Sequence, residues 1–408
     1  MTEHPKPSVP LLVAATATGP LALNIFVPSM PGMERVFDAS HATVQLTLSL
    51  YLIGVAVGQL VYGPLSDRWG RRPVLLAGLG LYAAASLACA LAPSIGLLVL
   101  GRAAQAVGGC AGMVIARAIV RDAWSREEAT RVLALVIAGM AVAPMVAPAL
   151  GGFLDEWFGW RAGFLLLVGF GGLVWAAALR GLPETHRDLT PLPGPSALWQ
   201  AYRALFGRRL FLGYALVVGW MTGGFFVFLA GAAHAMSVTL HRPPSEYGLY
   251  FVLLSAGYMG GNMAVSRLAG RVRLEALAFA GLLLSVAGPL VIGGFLAAGH
   301  FSPASLFLPT VLLCVGNGLT LPVTITAAVG VDLRLAGTAS GLVGFVQMGI
   351  GAAASAATGL FEPGDPVVMA AGMLLTNLAA LAAWAYARGG GRRRGGQAGE
   401  GESAVRPA

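Results

Sequence analysis

Charged residues are the scarcest class in this sequence. Only 11% of the 408 residues are Asp, Glu, Lys or Arg, and 57% are hydrophobic, whereas soluble domains hold about 25% charged residues. A water-soluble core of this chain length cannot bury so much apolar surface. The apolar residues also fall in blocks of about 20, the length of a helix that crosses the ~30 Å hydrocarbon layer of a bilayer. The composition therefore excludes a soluble protein and predicts a polytopic membrane protein.

Residues that commonly hold metals or cofactors are also few. The three cysteines lie inside apolar blocks and show neither metal-ligand spacing nor a disulfide framework. The six histidines fall at predicted helix ends and in loops, where we expect neither a metal ligand nor a buried proton relay. From both sets we predict no metal and no cofactor. The cysteines are Cys89, Cys110 and Cys314, and the histidines are His4, His41, His186, His234, His241 and His300.

Enzyme signatures are missing as well. The sequence contains no phosphate-binding loop, nucleophile elbow or zinc motif. We therefore predict no catalytic residues and no enzyme activity, and any pumping must draw on an ion gradient. The net charge of +8 suggests nucleic-acid binding at first, but membrane topology accounts for it better.

Turns and charge clusters divide the chain into twelve apolar segments. They predict an all-α membrane protein whose twelve transmembrane helices form two pseudo-symmetric six-helix bundles. We expect bundles at 1–183 and 210–388, a cytoplasmic linker at 184–209 and a disordered tail at 389–408. The predicted segments span 11–33, 44–63, 74–92, 95–116, 132–154, 161–180, 210–232, 247–266, 275–297, 304–328, 338–360 and 367–387.

Basic residues predict the orientation. If the N-terminus is cytoplasmic, 22 basic residues lie in cytoplasmic segments and 3 on the opposite side. This asymmetry follows the positive-inside rule. We therefore predict that the chain spans the inner membrane of the cell and that both termini lie in the cytoplasm.

One basic residue, Arg102, is left inside an apolar segment, and none of the 18 acidic residues is. Burying its charge costs at least ~2.5–3.5 kcal/mol, so the side chain should face a cavity or a partner. Two interpretations stay open: a packing arginine satisfied by backbone carbonyls and Gln105, and a cavity arginine that binds substrate or takes part in coupling.

A second polar residue lies at the same predicted depth. Asn24 sits in the stretch "PLALNIFVPSMP" between Pro20 and Pro28, each of which frees a backbone carbonyl. At 1.5 Å per residue, both Asn24 and Arg102 lie about 10 Å below the outer surface. We expect Asn24 to line a cavity there. Further candidates for substrate binding or coupling are Tyr51, Gln59, Gln105, Tyr258, Asn262, Asn317 and Gln347, although an individual amide is more often interhelical packing.

Several motifs resemble the major facilitator superfamily. "GPLSDRWGRRP", Gly63 to Pro73, resembles its loop between helices 2 and 3, which implies a conformational-switch motif. "LGRAAQAVGG" resembles its helix 4 arginine motif, and "APMVAPALGG" its helix 5 antiporter motif. The resemblance implies roles for Gly63, Asp67, Arg68, Gly70, Arg71 and Arg72 in the switch motif and for Pro144, Pro148, Gly151 and Gly152 in the helix 5 motif.

With "VQLTLSLYLIGVAVGQLVYGPLSDR", "IARAIVRDAW" and "LPETH", the chain resembles the bicyclomycin- and chloramphenicol-resistance group of drug exporters. The group implies a monomeric, proton-linked exporter of small amphipathic drugs that works by alternating access. Its helix 1 typically holds an aspartate where this chain has Asn24. Because an amide does not titrate, coupling would use another group, such as Asp155 or Glu156, or would be weak.

Two alternatives to export stay open. Arg102, without an acidic partner, could attract anionic or zwitterionic solutes to a uniporter or exchanger. The chain could also be a non-transporting membrane receptor or scaffold, although the switch and helix 5 motifs argue against this.

Overall fold

The computed structural model describes residues 6–186, 194–362 and 364–389. Fourteen α-helices occur in these ranges, together with two 3₁₀ turns, Val27–Ser29 and Leu333–Leu335, and one π turn, Ala235–Thr239. The helices are α1 Val9–Ile25, α2 Met30–Phe37, α3 His41–Trp69, α4 Arg71–Ala90, α5 Ile95–Ala123, α6 Arg126–Phe158, α7 Arg161–Gly181, α8 Pro195–Phe206, α9 Arg209–His234, α10 Pro244–Leu268, α11 Leu274–Ala297, α12 Pro303–Gly330, α13 Ala336–Thr358 and α14 Pro366–Arg388.

Among the described residues, eleven helical spans are long and apolar enough to cross a membrane. The remaining predicted segment, the eighth at 247–266, corresponds to α10, a helix of 25 residues whose glycine, tyrosine and asparagine residues lower its mean hydropathy. The prediction of an all-α, multi-pass membrane protein is confirmed.

The first predicted segment is divided rather than merely bent. α1 contains Pro20 but ends at Ile25, and the 3₁₀ turn around Pro28 separates it from α2. Proline lacks an N–H and disfavours helical geometry in the preceding residue, so the helical hydrogen bonds are interrupted there. The residue that follows α2, Asp38, adopts the left-handed conformation with φ of 48°.

Helices of the two halves pack in the same order. In the first half α5 contacts α1, α3 and α4, and α7 contacts α1 and α4. In the second half α12 contacts α9, α10 and α11, and α14 contacts α9 and α11. The halves meet where α3 packs on α13 and α6 packs on α10. The boundaries at 183, 210 and 388 stay predictions.

The connection between the halves contains one helix, α8. α8 begins at Pro195, and proline is well tolerated in the first turn because the N–H there has no helical partner. Residues 187–193 and nearly all of the predicted tail, 390–408, lie outside the described residues.

Candidate functional site

Arg102 is enclosed by protein. Its side chain on α5 has no exposed surface, and Nη1 donates to the carbonyl oxygen of Ala22 at 2.8 Å and to Oε1 of Gln105 at 2.7 Å. The guanidinium carbon lies 4.2 Å from the ring centroid of Tyr51 and 4.9 Å from that of Phe26. Two aromatic faces and two oxygens thus replace water around the charge.

The neighbours of Arg102 are themselves held in place. Gln105 donates from Nε2 to Oγ of Ser86 at 2.8 Å, which ties α5 to α4. The hydroxyl of Tyr51 donates to the carbonyl of Gly19 at 2.8 Å, which ties α3 to α1. Nε and Nη2 of Arg102 have no hydrogen-bond partner among the described residues, so the guanidinium retains two free donors.

Asn24 lies on the same helix as one hydrogen-bond partner of Arg102. Ala22, whose carbonyl accepts from Arg102, is two residues earlier in α1. The Asn24 side chain is 3% exposed, and Nδ2 donates to the carbonyl of Pro20 at 2.8 Å. Its Oδ1 has no partner among the described residues. We expected Asn24 to line an open cavity. In this conformation its side chain is buried instead, and the rings of Phe26 and Tyr51 help to close the region.

The candidate amides of the second half occupy different environments. Asn317 is buried with its Oδ1 unpaired among the described residues. Gln347 donates to Oγ1 of Thr222 at 3.0 Å and so links α13 to α9. Asn262 donates to the carbonyl of Tyr258, one turn earlier in α10. Asn262 thus satisfies a carbonyl of its own helix.

Gln59 contacts the opposite half. Its side chain lies directly against Gly344 of α13, where a Cβ would overlap Oε1 of Gln59. Gly344 leaves the space in which a glutamine of α3 fits between the halves.

The switch motif centres on Arg71. Its Nη1 donates to Oγ of Ser66 at 2.7 Å and to the carboxylate of Asp67, and its Nε donates to Asp122 at 2.9 Å. Arg71 thus pairs with Asp67 across the turn between α3 and α4. Asp122 belongs to "IARAIVRDAW", so that motif could have indicated its role.

Glu184 completes the same group. Its Oε1 and Oε2 accept the backbone N–H groups of Arg71 and Arg72 at 2.9 and 3.0 Å. These are the first two residues of α4, so a carboxylate from "LPETH" caps that helix and matches its dipole. Gly70 supplies the turn with φ of 93°. Gly63 does not mark a close helix crossing, because a Cβ there would meet none of the described atoms within 4 Å.

The helix 5 motif packs against both halves. A Cβ on Gly151 would overlap the carbonyl oxygen of Ile25 in α1, and one on Gly152 would overlap that of Pro244 in α10. Opposite them, a Cβ on Gly248 would meet the backbone of Ala149. Pro144 and Pro148 both lie inside α6. Small residues thus let α6 approach α1 and α10 closely.

One histidine lies at a helix end, as expected, but is buried there. His234 ends α9 with no exposed surface, and its Nε2 lies 2.8 Å from Oε1 of Glu34. His41 reaches the same oxygen at 2.8 Å. Helix ends are usually exposed, but here the ends of α2, α3 and α9 meet.

Comparison with known proteins agrees with this architecture. The family model described as Major Facilitator Superfamily matches residues 12–356. Multidrug resistance protein D of Escherichia coli (strain K12) is 31% identical over 377 residues, which cover 91% of this chain and 92% of that protein. The chloramphenicol resistance protein of Pseudomonas aeruginosa is 37% identical over 254 residues, 62% of this chain and 58% of that protein.

Solved structures share the fold at low sequence identity. The D-xylose-proton symporter superposes with a TM-score of 0.76 at 14% identity, over 93% of this chain and 98% of that chain. A bacterial homologue of the lysosomal transporter Spinster, inward-facing and unoccupied, gives a TM-score of 0.71 at 16% identity, over 93% and 95%. The resemblance to the drug-resistance group is confirmed, and the chain belongs to the Major Facilitator Superfamily.

Proposed function

We propose that this transporter exports small amphipathic drugs or metabolites by alternating access. The observation that carries the proposal is the similarity to multidrug resistance protein D along nine-tenths of both chains. The interface between the halves supports it, because α3 with α13 and α6 with α10 form two separate contacts about which the halves can rock. The protein works as a monomer in a bacterial inner membrane with both termini cytoplasmic.

The proposed substrate region lies between the halves. Asn24 and Asn317 each keep a buried, unpaired oxygen among the described residues, and a substrate that bonded to these oxygens would gain the interaction they lack. Gln59 and Gln347 reach across neighbouring helices. An apolar site with a few such groups suits amphipathic ligands.

We further propose that export is coupled to protons. Because Asn24 cannot titrate, we assign the coupling to a carboxylate near the end of α6. Asp155 fits this role better than Glu156, because Asp155 is half-buried beside Ser29 and Glu156 is exposed. The exchanger alternative requires Arg102 to meet substrate, for which the rings of Phe26 and Tyr51 must move aside.

A drug-susceptibility panel in an efflux-deficient bacterial host tests the export function. We expect the chain to raise resistance to several unrelated amphipathic compounds over the empty vector, and an uncoupler to abolish the effect. Unchanged susceptibility and accumulation for every compound would contradict export. Resistance that survives the uncoupler would contradict the proton link alone.

The Asp155→Asn variant, with Glu156→Gln as its matched control, tests the coupling site. In proteoliposomes with an imposed pH gradient, we expect Asp155→Asn to lose gradient-driven transport while Glu156→Gln retains it. Equal gradient-driven rates in both variants would remove Asp155 from the coupling step.

A further inference from the structure

Three side chains from three helices converge at one end of the interface between the halves. Glu34 lies on α2, His41 begins α3, and His234 ends α9. Nδ1 of His41 and Nε2 of His234 each lie 2.8 Å from the same oxygen, Oε1 of Glu34. The two imidazole rings meet edge to face with centroids 4.4 Å apart. All three potential ligand atoms lie within 4.8 Å of one another.

The charge of Glu34 lacks an ordinary partner. Within the described part of the chain, its ion-pair contacts are with the two histidines and with no arginine or lysine. Its neighbours along the chain, Arg35 and Asp38, are exposed. A partly buried carboxylate whose contacts are two imidazoles favours a bound positive charge at this position.

The burial pattern leaves a path to the carboxylate. The His234 side chain has no exposed surface, and that of His41 is 10% exposed, but that of Glu34 is 23% exposed. A small cation can therefore reach the oxygen without unfolding the helix ends. Water, which reaches the exposed part of Glu34, is the expected fourth ligand, as in tetrahedral zinc sites with three protein ligands.

We propose that Glu34, His41 and His234 form a binding site for a divalent transition metal of the zinc type. Two imidazole nitrogens and one carboxylate oxygen are a donor set that Zn²⁺ prefers. Ligation through Nε2 requires the proton of His234 to move to Nδ1. That nitrogen has no hydrogen-bond partner among the described residues and is free to take the proton, while metal ligation replaces the present contact between Nε2 and Glu34.

The metal would join the two halves. Glu34 and His41 belong to the first six membrane helices, whereas His234 belongs to the second six, 200 residues from Glu34. The ligands come together only when this end of the interface is closed. Bound metal therefore stabilises that conformation, and, on the proposed alternating-access cycle, it inhibits transport.

Metal binding to the purified full-length protein tests the site directly. We expect one tight Zn²⁺ per chain, measured by competition with a chromophoric chelator, and tetrahedral d–d absorption with Co²⁺. Glu34→Gln and His41→Ala should each weaken binding by more than about tenfold. His300→Ala is the matched control, because His300 is exposed and contacts the carbonyl of Ala298 in its own turn.

His234→Ala removes a buried ring and could unfold the chain. The variants Glu34→Gln and His41→Ala, at less buried residues, therefore decide the outcome. No stoichiometric binding to the wild type, or equal binding by wild type, Glu34→Gln and His41→Ala, would show a hydrogen-bonded contact only and overturn the proposal. Because this measurement uses no substrate, a failure of the proposed export function leaves it interpretable.

A distance measurement tests the bridging. Spin labels at Val36→Cys on α2 and Leu360→Cys after α13 occupy exposed positions on the two halves, and the native cysteines are buried. We expect Zn²⁺ to narrow the distance distribution toward its short component, and His41→Ala to abolish that shift. A distribution that Zn²⁺ leaves unchanged while binding persists would contradict the bridge.

Discussion

At the scale of single residues, Arg102 is stabilised by neighbours on its own helix and on other parts of the first half. The carbonyl of Ala22, Oε1 of Gln105 and the rings of Phe26 and Tyr51 surround its guanidinium group. Hydrogen bonds to charged groups contribute about 1.5–3 kcal/mol each. This group therefore holds α5 against α1 and α3 whether or not it also meets substrate.

Arg102→Ala should destabilise the protein by about 3–5 kcal/mol, because it removes two charge-assisted hydrogen bonds and leaves Gln105 without its donor. Thermal unfolding in detergent measures the loss. Arg161→Ala is the control, since Arg161 is exposed and stacks on Trp160, and it should change stability little. Equal unfolding temperatures for the two variants would contradict a packing role.

Asn24→Asp should introduce pH-dependent transport. The aspartate would add an ionisable carboxylate to α1, the helix whose Ala22 carbonyl accepts from Arg102. The pKa of such a group depends on its distance from the cation, and therefore on the conformation of the helices. Transport rates across a pH series in proteoliposomes measure the effect.

Asn377→Asp is the matched control for this change. Asn377 is buried and also donates to the carbonyl one turn earlier, but no arginine neighbours it in an ion pair or hydrogen bond among the described residues. We expect that variant to lose stability without gaining a pH-dependent rate. The same flat pH profile for wild type and Asn24→Asp would assign Asn24 to packing.

At the scale of helices, the close approach of α6 to α10 depends on glycine. Gly152 and Gly248 leave no room for a Cβ, because backbone atoms of the opposite helix occupy that space. Backbone cannot rotate away as a side chain can, so this contact is sensitive to a single methyl group.

Gly152→Ala should therefore cost about 1–3 kcal/mol through overpacking and separate the halves at this end. Unfolding in detergent measures the cost, and a spin-label pair across the interface measures the separation. Gly169→Ala on α7 is the control, because a Cβ there meets nothing within 4 Å and alanine favours helix by roughly 1 kcal/mol. A Gly152→Ala variant as stable as Gly169→Ala would contradict the packing seen here.

At the scale of the whole molecule, buried contacts join the halves near the end of the interface that holds Glu34, His41 and His234. Gln45 of α3 is buried and donates from Nε2 to the carbonyl of Ala230 in α9 at 3.0 Å. It also packs against Gly359 at the end of α13, where a Cβ would lie 3.2 Å from that of Gln45. The two halves are thus within disulfide reach there.

A Gln45→Cys/Gly359→Cys double variant should form a disulfide that arrests transport. Oxidation fixes one conformation, so export should stop and return after reduction. Drug efflux from loaded cells measures both steps, and each single variant is the control for the loss of Gln45 or Gly359 alone. Full export by the cross-linked protein would contradict alternating access at this interface.

The sequence by itself determined the membrane class and the helix-rich fold, and it contains the segments that resemble the switch and helix 5 motifs, because apolar run length and local spacing are properties of neighbouring residues. It located Arg102 and Asn24 but not the rings that enclose them. Only the tertiary structure placed Glu184 on the first turn of α4 and His234 on Glu34. These partners are 113 and 200 residues apart, and nothing in the spacing of either pair indicates that helix packing will bring them into contact.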